Sequence, residues 1–359
     1  MNCPRKFWTA SLVICVAMAG GLAWRSQLAF GQGAGQEPSA QTQDPRARIR
    51  TTVSLVVVPV TVKDSAGELV TDLQQNDFRV FEDGVEQPIT LFTADAFDLS
   101  AAVLVDDDLK QGTAEKVQKT LETLAGGFTA TDEVSLWRFD EVPEQISEEF
   151  IADNDKLLTQ LKRVDLSSSF PGIGSYTMTN GPHVNTAQPP GPAKVPTEAN
   201  GHPNNKHITD AIYAAAEQLQ DRPRERRKII FLISDGQNAK NNTHKYDETL
   251  KLLLSADISV YAVGVGEANL NRGITFLGNN ILAKYAHATG GDIFYGGMSR
   301  ENLEGLYGRV SEQARNQYTI AYSGAHTDRS KPYHTIEVRV KRPGLTLLTR
   351  DGYYLNATP

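Results

Sequence analysis

Five consecutive residues, Ala101-Ala102-Val103-Leu104-Val105, carry no polar side chain, and Asp106-Asp107-Asp108 follow at once. A strand on a half-solvated sheet alternates apolar and polar residues, so a run apolar on both faces needs cover on both faces. Residues 113–124 then space Val117, Leu121 and Leu124 at helical intervals. The unit is a buried strand feeding a helix, and it recurs. Residues 133–139, 228–234, 258–265 and 292–295 read as strands, and residues 156–164, 208–219, 247–254, 281–289 and 301–314 as helices. This alternation predicts an α/β fold, a mostly parallel central sheet covered by helices on both faces. Ligand sites in such folds lie beyond the carboxyl ends of the strands.

On both flanks the rhythm is different. Residues 53–62 are β-branched and run into the turn cluster Lys63-Asp64-Ser65-Ala66-Gly67. Residues 78–81 and 88–92 read as a hairpin around Glu82-Asp83-Gly84, an Asp-Gly turn. Strands resume at 317–322, 334–340 and 345–354, the last two separated by Lys341-Arg342-Pro343-Gly344. Neither flank alone can bury a face, so 51–97 and 317–359 are expected to pair as one small β domain around an α/β domain of 98–316. Within that domain, residues 166–205 hold seven of the 17 prolines and only two charged residues, Lys194 and Glu198, the composition of a flap insertion.

Residues 1–31 read as a secretory signal peptide: Arg5 and Lys6 precede an uncharged stretch from Phe7 to Trp24, and Ala29-Phe30-Gly31 offers a cut before Gln32. The alternative is an uncleaved single-span anchor. Residues 32–50, rich in Gln, Gly, Pro, Ala and Arg, form a flexible leader. Both cysteines, Cys3 and Cys15, fall in the first segment, so a processed chain holds no disulfide. Its formal charge shifts from 36 − 43 = −7 to 33 − 43 = −10 once Arg5, Lys6 and Arg25 are gone. An acidic product of this kind excludes a phosphate-backbone partner, hence nucleic acid. The expected address is periplasmic or extracellular, with no membrane span left after cleavage.

Several segments together resemble a von Willebrand factor A (VWA) domain, and in particular the exported VWFA-related proteins of bacteria such as acidobacteria. They are Val57-Val58-Pro59-Val60-Thr61-Val62, Asp77-Phe78-Arg79-Val80-Phe81-Glu82-Asp83-Gly84, the strand to Asp106, Phe231-Leu232-Ile233-Ser234-Asp235-Gly236, and Arg342-Pro343-Gly344 with Asp351-Gly352-Tyr353. The resemblance covers residues 50–359. It implies a Rossmann-like sheet with a metal-ion-dependent adhesion site at its carboxyl edge, where hydroxyls and carboxylates hold Mg²⁺ and an open position takes an acidic group from a protein partner. The family's first strand ends in Asp-x-Ser-x-Ser, a later loop supplies Thr and a further strand Asp. Carried over by position, these become Asp106, Asp108, Lys110, Lys206 and Asp235. Two lysines stand where oxygen ligands belong, and a protonated lysine has only donors. The resemblance therefore implies a degenerate adhesion site in which Lys110 and Lys206 replace the charge of the metal. The alternative keeps Mg²⁺ on Asp106, Asp108 and Asp235.

An enzyme reading starts from the same strand, because Asp106-Asp107-Asp108 also matches the Asp-x-Asp opening of haloacid-dehalogenase-like phosphotransfer sites. That chemistry needs a Ser or Thr after the next core strand, where Phe139-Asp140-Glu141 stands instead. No Gly-x-Ser-x-Gly occurs, and Gly264-Val265-Gly266 lacks the third glycine of a dinucleotide fingerprint. His183, His202, His207 and His244 match no metal-ligand spacing. The sequence points to an exported, non-enzymatic protein-binding module with no cofactor.

Overall fold

The computed structural model describes residues 55–166, 206–270, 280–324 and 330–355. The signal segment 1–31, the leader 32–50 and all of the flap 166–205 except Leu166 lie outside the described residues. In chain order the elements are β1 (Leu55–Lys63), β2 (Phe78–Glu82), β3 (Val85–Gln87), β4 (Ile89–Thr93), β5 (Leu99–Asp106), α1 (Gln111–Gln118), β6 (Glu133–Phe139), β7 (Pro143–Gln145) and α2 (Asn154–Leu161). There follow α3 (Ile208–Gln220), β8 (Arg227–Ser234), α4 (Tyr246–Ser255), β9 (Ile258–Gly264), α5 (Glu267–Leu270), α6 (Ile281–Ala288), β10 (Asp292–Tyr295), α7 (Arg300–Arg315), β11 (Tyr318–Ser323), β12 (Tyr333–Val340), β13 (Thr346–Thr349) and β14 (Gly352–Tyr354).

The central sheet runs β10-β9-β8-β5-β6-β7. Its first five strands are parallel, and β7 adds an antiparallel edge. The apolar run of β5 divides by pleat: Leu99, Ala101, Val103 and Val105 join a core with Val117 of α1, Leu157 of α2 and Val310 of α7. Ala102 and Leu104 join the opposite core with Ile212 of α3, Leu253 of α4 and Tyr285 of α6. Helices cover both faces, which is why the run Ala101–Val105 needs no polar side chain. Side-chain caps fix several helix starts. Asp153 Oδ1 accepts from the backbone N–H of Asp155 and Lys156 at 2.9 and 3.0 Å, and Asn280 Oδ1 accepts from Leu282 at 2.9 Å.

The flanking strands form two four-stranded antiparallel sheets, ordered β13-β1-β11-β4 and β14-β12-β2-β3. Each sheet mixes strands from before and after the α/β core. Val56, Val58, Val60 and Val62 face Phe78, Val80, Ile336 and Val338 in one shared interior. Pro59 lies inside β1, yet the ladder to β13 begins only at Val60, so no sheet bond on that side is lost.

Three details differ from the sequence expectation. The Asp83-Gly84 turn is present, with φ of 47° and 81°, but the strand returning from it is Val85–Gln87. Beyond Pro88, Ile89–Thr93 crosses to the other sheet. The stretch 345–354 is likewise divided between the two sheets, as β13 and β14. The helix at 113–124 ends at Gln118 and continues as a 3₁₀ segment from Leu121 to Gly127.

Arg350, which follows β13, is 5% exposed and ties the two parts of the molecule together. Its guanidinium donates to Asp257 Oδ1 at 2.6 Å and to the Val57 carbonyl at 2.5 Å. Arg227, at the start of β8, donates to the Gln317 carbonyl at 2.7 Å and Thr319 Oγ1 at 3.0 Å. Arg222, in the loop before β8, is paired to Glu133 at 2.5 Å.

Candidate functional site

β5, β8 and β9 are neighbours in the sheet and end side by side at Asp106, Ser234 and Gly264. The next residue after β8 is Asp235. Lys206 precedes α3 and is fixed there by backbone bonds: the His207 N–H donates to the Asp140 carbonyl at 2.7 Å, and the Ala239 N–H to the Lys206 carbonyl at 2.8 Å. Asp210 holds the loop that follows Asp235, accepting from the N–H groups of Thr243 and His244 at 2.8 and 2.7 Å. Four chain segments are thereby brought to one point.

At that point Lys206 Nζ donates to Asp235 Oδ2 at 2.8 Å and lies 3.4 Å from Asp106 Oδ2. The three residues are 3%, 7% and 0% exposed, in that order. Ser234 Oγ donates to the same Asp106 oxygen at 2.6 Å, and the Asp108 N–H donates to the other at 3.0 Å. The Gln237 N–H donates to Asp235 Oδ1 at 3.1 Å. Gly236 between them has φ of 79°, a backbone conformation glycine takes without strain.

The electrostatics follow from the enclosure. Burial raises the Asp106 carboxyl above the ordinary carboxylate range, against the pull of Lys206. Burial works to lower the pKa of Lys206, but the charges of Asp106 and Asp235 and the hydrogen bond to Asp235 outweigh it and the net shift is upward. Both shifts favour the protonated form of their own group. Asp108 is half-buried and adds its charge to the field at Lys206.

Of the five residues expected to converge, the structure brings Asp106, Lys206 and Asp235 together and sets Asp108 beside them. Lys110 does not join them. It stands at the N-cap of α1, its side chain is 73% exposed, and it is ion-paired to Glu267 of α5. The start of α1 carries it away from the aspartates. Its link to the cluster is indirect, since Gln237 Nε2 donates to Glu267 Oε2 at 2.6 Å and reaches Asp235 Oδ2 at 3.4 Å. Ser234, Gln237 and Glu267 are the site residues that sequence reasoning missed. Ser234 could have been found, because it ends the same apolar strand that delivers Asp235.

A divalent ion such as Mg²⁺ needs oxygens at about 2.0–2.1 Å and no cation beside it. The Lys206 ammonium stands between Asp106 and Asp235, in the place that ion would take. Among the described residues no group of three or more His, Cys, Asp or Glu side chains is arranged to hold a metal. Of the four histidines singled out, His183 and His202 lie outside the described residues. His207 Nδ1 is 3.4 Å from Asp210, whereas the His244 ring stacks on Tyr213 with centroids 3.6 Å apart. Among the described residues no helix is long and apolar enough to cross a membrane.

The family model for the von Willebrand factor type A domain matches residues 198–286, which include Lys206, Ser234, Asp235 and Glu267. No curated protein sequence matches the chain. Among solved structures it is similar to proximal thread matrix protein 1 from the mussel byssus, at 12% identity and a TM-score of 0.40 over 61% of this chain and 49% of that one. A second form of that protein, described with a zinc-occupied adhesion-site motif, gives 14% identity and a TM-score of 0.41 over 65% and 49%. An aerotolerance-related membrane protein from Bacteroides fragilis gives 15% identity and 0.39 over 60% and 99%. The chain spans about half the length of the mussel protein.

Proposed function

We propose that this chain is an exported, non-enzymatic protein-binding module whose adhesion-type site has exchanged its metal for the ammonium of Lys206. The observation that carries the reading is the 2.8 Å contact of Lys206 Nζ with Asp235, 3.4 Å from Asp106, in a VWA-type arrangement of strand ends. A metal at this position would present an open coordination site to an acidic partner group. A buried ammonium with its donors turned to two carboxyls presents none. Partner contact therefore belongs to the surface around the closed centre, and it does not depend on divalent ions.

The same closure speaks against phosphotransfer. A nucleophilic Asp106 would need an exposed oxygen, and this residue is fully buried, with donors on both carboxyl oxygens. Export rests on the character of residues 1–31 and gives a periplasmic or extracellular address.

The test is calorimetric titration of the protein with Mg²⁺ before and after chelation. No saturable heat is expected. Saturable binding that disappears in Asp106→Ala would overturn the reading and return the site to the metal-dependent kind.

A further inference from the structure

We propose that Lys206 and Asp235 condense into an intramolecular amide, a covalent closure between the residue leading into α3 and the end of β8. This rests on the reading that Lys206 takes the metal's place and deepens it: the ammonium between the two carboxyls is the reactant, and closure consumes it. Both side chains are 4% exposed, and the Lys206 Nζ lies 2.8 Å from Asp235 Oδ2, which puts the amine against the carboxyl group it would attack. In water an ammonium and a carboxylate stay apart as solvated ions. Enclosure removes that solvation, and a fixed pair gains the effective concentration of an intramolecular reaction.

Two further features match the needs of the step. Proton movement requires a third group, and Asp106 is fully buried with Oδ2 3.4 Å from the same nitrogen. The oxygen that becomes the amide carbonyl must be stabilised as negative charge gathers on it during attack, and Asp235 Oδ1 already accepts the Gln237 N–H at 3.1 Å.

The step balances without an outside reagent. One proton passes from the Lys206 ammonium to Asp235 Oδ2 along their 2.8 Å contact, and the freed lone pair forms a bond from Nζ to Cγ of Asp235. The protonated Asp106 gives its proton to Oδ2 and takes a second one from the nitrogen, and the Cγ–Oδ2 bond breaks to release water. One positive and one negative charge disappear together, and nothing is oxidised or reduced.

Intact mass of the purified full chain under denaturing conditions, followed by peptide mapping, decides the matter. The wild type is expected to be one water lighter than Lys206→Arg after allowance for the substitution. Its digest should contain a branched peptide joining Lys206 to Asp235. Asp235→Ala and Asp106→Asn should keep the full mass. A wild type of full mass, with Lys206 and Asp235 recovered in separate peptides, overturns the proposal, and that measurement needs no variant to fold. Full mass without a calorimetric Mg²⁺ response would remove the amide and leave the lysine-for-metal reading standing. A Mg²⁺ response would remove both.

Discussion

Ser234 Oγ donates to Asp106 Oδ2 at 2.6 Å, bridging the ends of the adjacent parallel strands β8 and β5. The Asp106 carboxyl is thereby held between a hydroxyl and an ammonium in a place that water does not reach. Ser234→Ala should keep the fold, because the change removes one atom, but it leaves a buried oxygen one donor short. It also removes the acceptor of the Gly236 N–H, 3.1 Å away. The expected cost is ~1–3 kcal/mol. Urea denaturation should show a lower midpoint with an unchanged slope.

The two lysines assigned to the site by position should behave differently. Lys206→Met strips the ammonium from between Asp106 and Asp235 and leaves buried carboxyls uncompensated, a loss of ~3–5 kcal/mol. Lys110→Met removes an exposed partner of Glu267 and should cost less than ~1 kcal/mol. Lys206→Thr puts a hydroxyl oxygen in place of the ammonium, so thermal stability should become Mg²⁺-dependent in that variant alone. Equal losses for the two Met variants in denaturant titrations would refute the placement of Lys110 outside the cluster.

The contrast shows where sequence reasoning reached and where it stopped. β5 was legible because cover on both faces forces five apolar residues in a row, and Asp106 follows by position. Lys206 was reached only through the resemblance, which carries the Thr of a later loop onto the residue two places before α3. Lys110 was misplaced because it lies in the turn into α1, where neither pleat nor helical period fixes a side-chain direction. Its partner Glu267 is 157 positions away, beyond any local signal. The crossing at Pro88 and the division of β13 from β14 at Arg350 escaped for a related reason: both are changes of sheet within runs of uniform β character, and only tertiary contacts such as Arg350 with Asp257 mark them.

Asp83 provides a pH handle in the β part. Its carboxylate accepts the Thr335 N–H at 3.0 Å and contacts His334 Nδ1 at 2.9 Å, with Lys331 3.7 Å away. The Thr335 backbone bond leads the effects that hold its pKa down at about 2, with His334 adding to it against the opposing cost of burial. A carboxylate with a depressed folded pKa adds stability above its ordinary value of 3.8, and that stability drains away as pH falls through about 2. Asp83→Asn retains a residue that tolerates the positive φ and should cost about 1 kcal/mol at neutral pH, screening at this partly exposed position included. Thermal midpoints of wild type and variant should converge between about pH 4 and pH 2. A gap that persists in acid would show that the carboxylate charge is not the source.

Truncation after Asn316 tests the dependence of one flank on the other. The cut removes β11 and β13, the two neighbours of β1, and takes β12 from β2, which keeps only the three-residue β3. Tyr318, Ile320, Tyr322, Ile336, Val338 and Tyr353 leave the shared interior, so Val56, Val58, Val60 and Val62 lose the apolar cover that made their burial favourable. An isolated pair of short strands is marginal in water. Limited proteolysis of the truncated chain should therefore cleave within residues 55–93 before the central sheet, whereas the full chain resists there. Arg227 would also lose Gln317 and Thr319, so the amino-terminal edge of β8 should loosen next. If residues 55–93 stay as resistant in the truncated chain as in the intact one, the flank holds its structure without β11–β14, and the pairing is not what stabilises it.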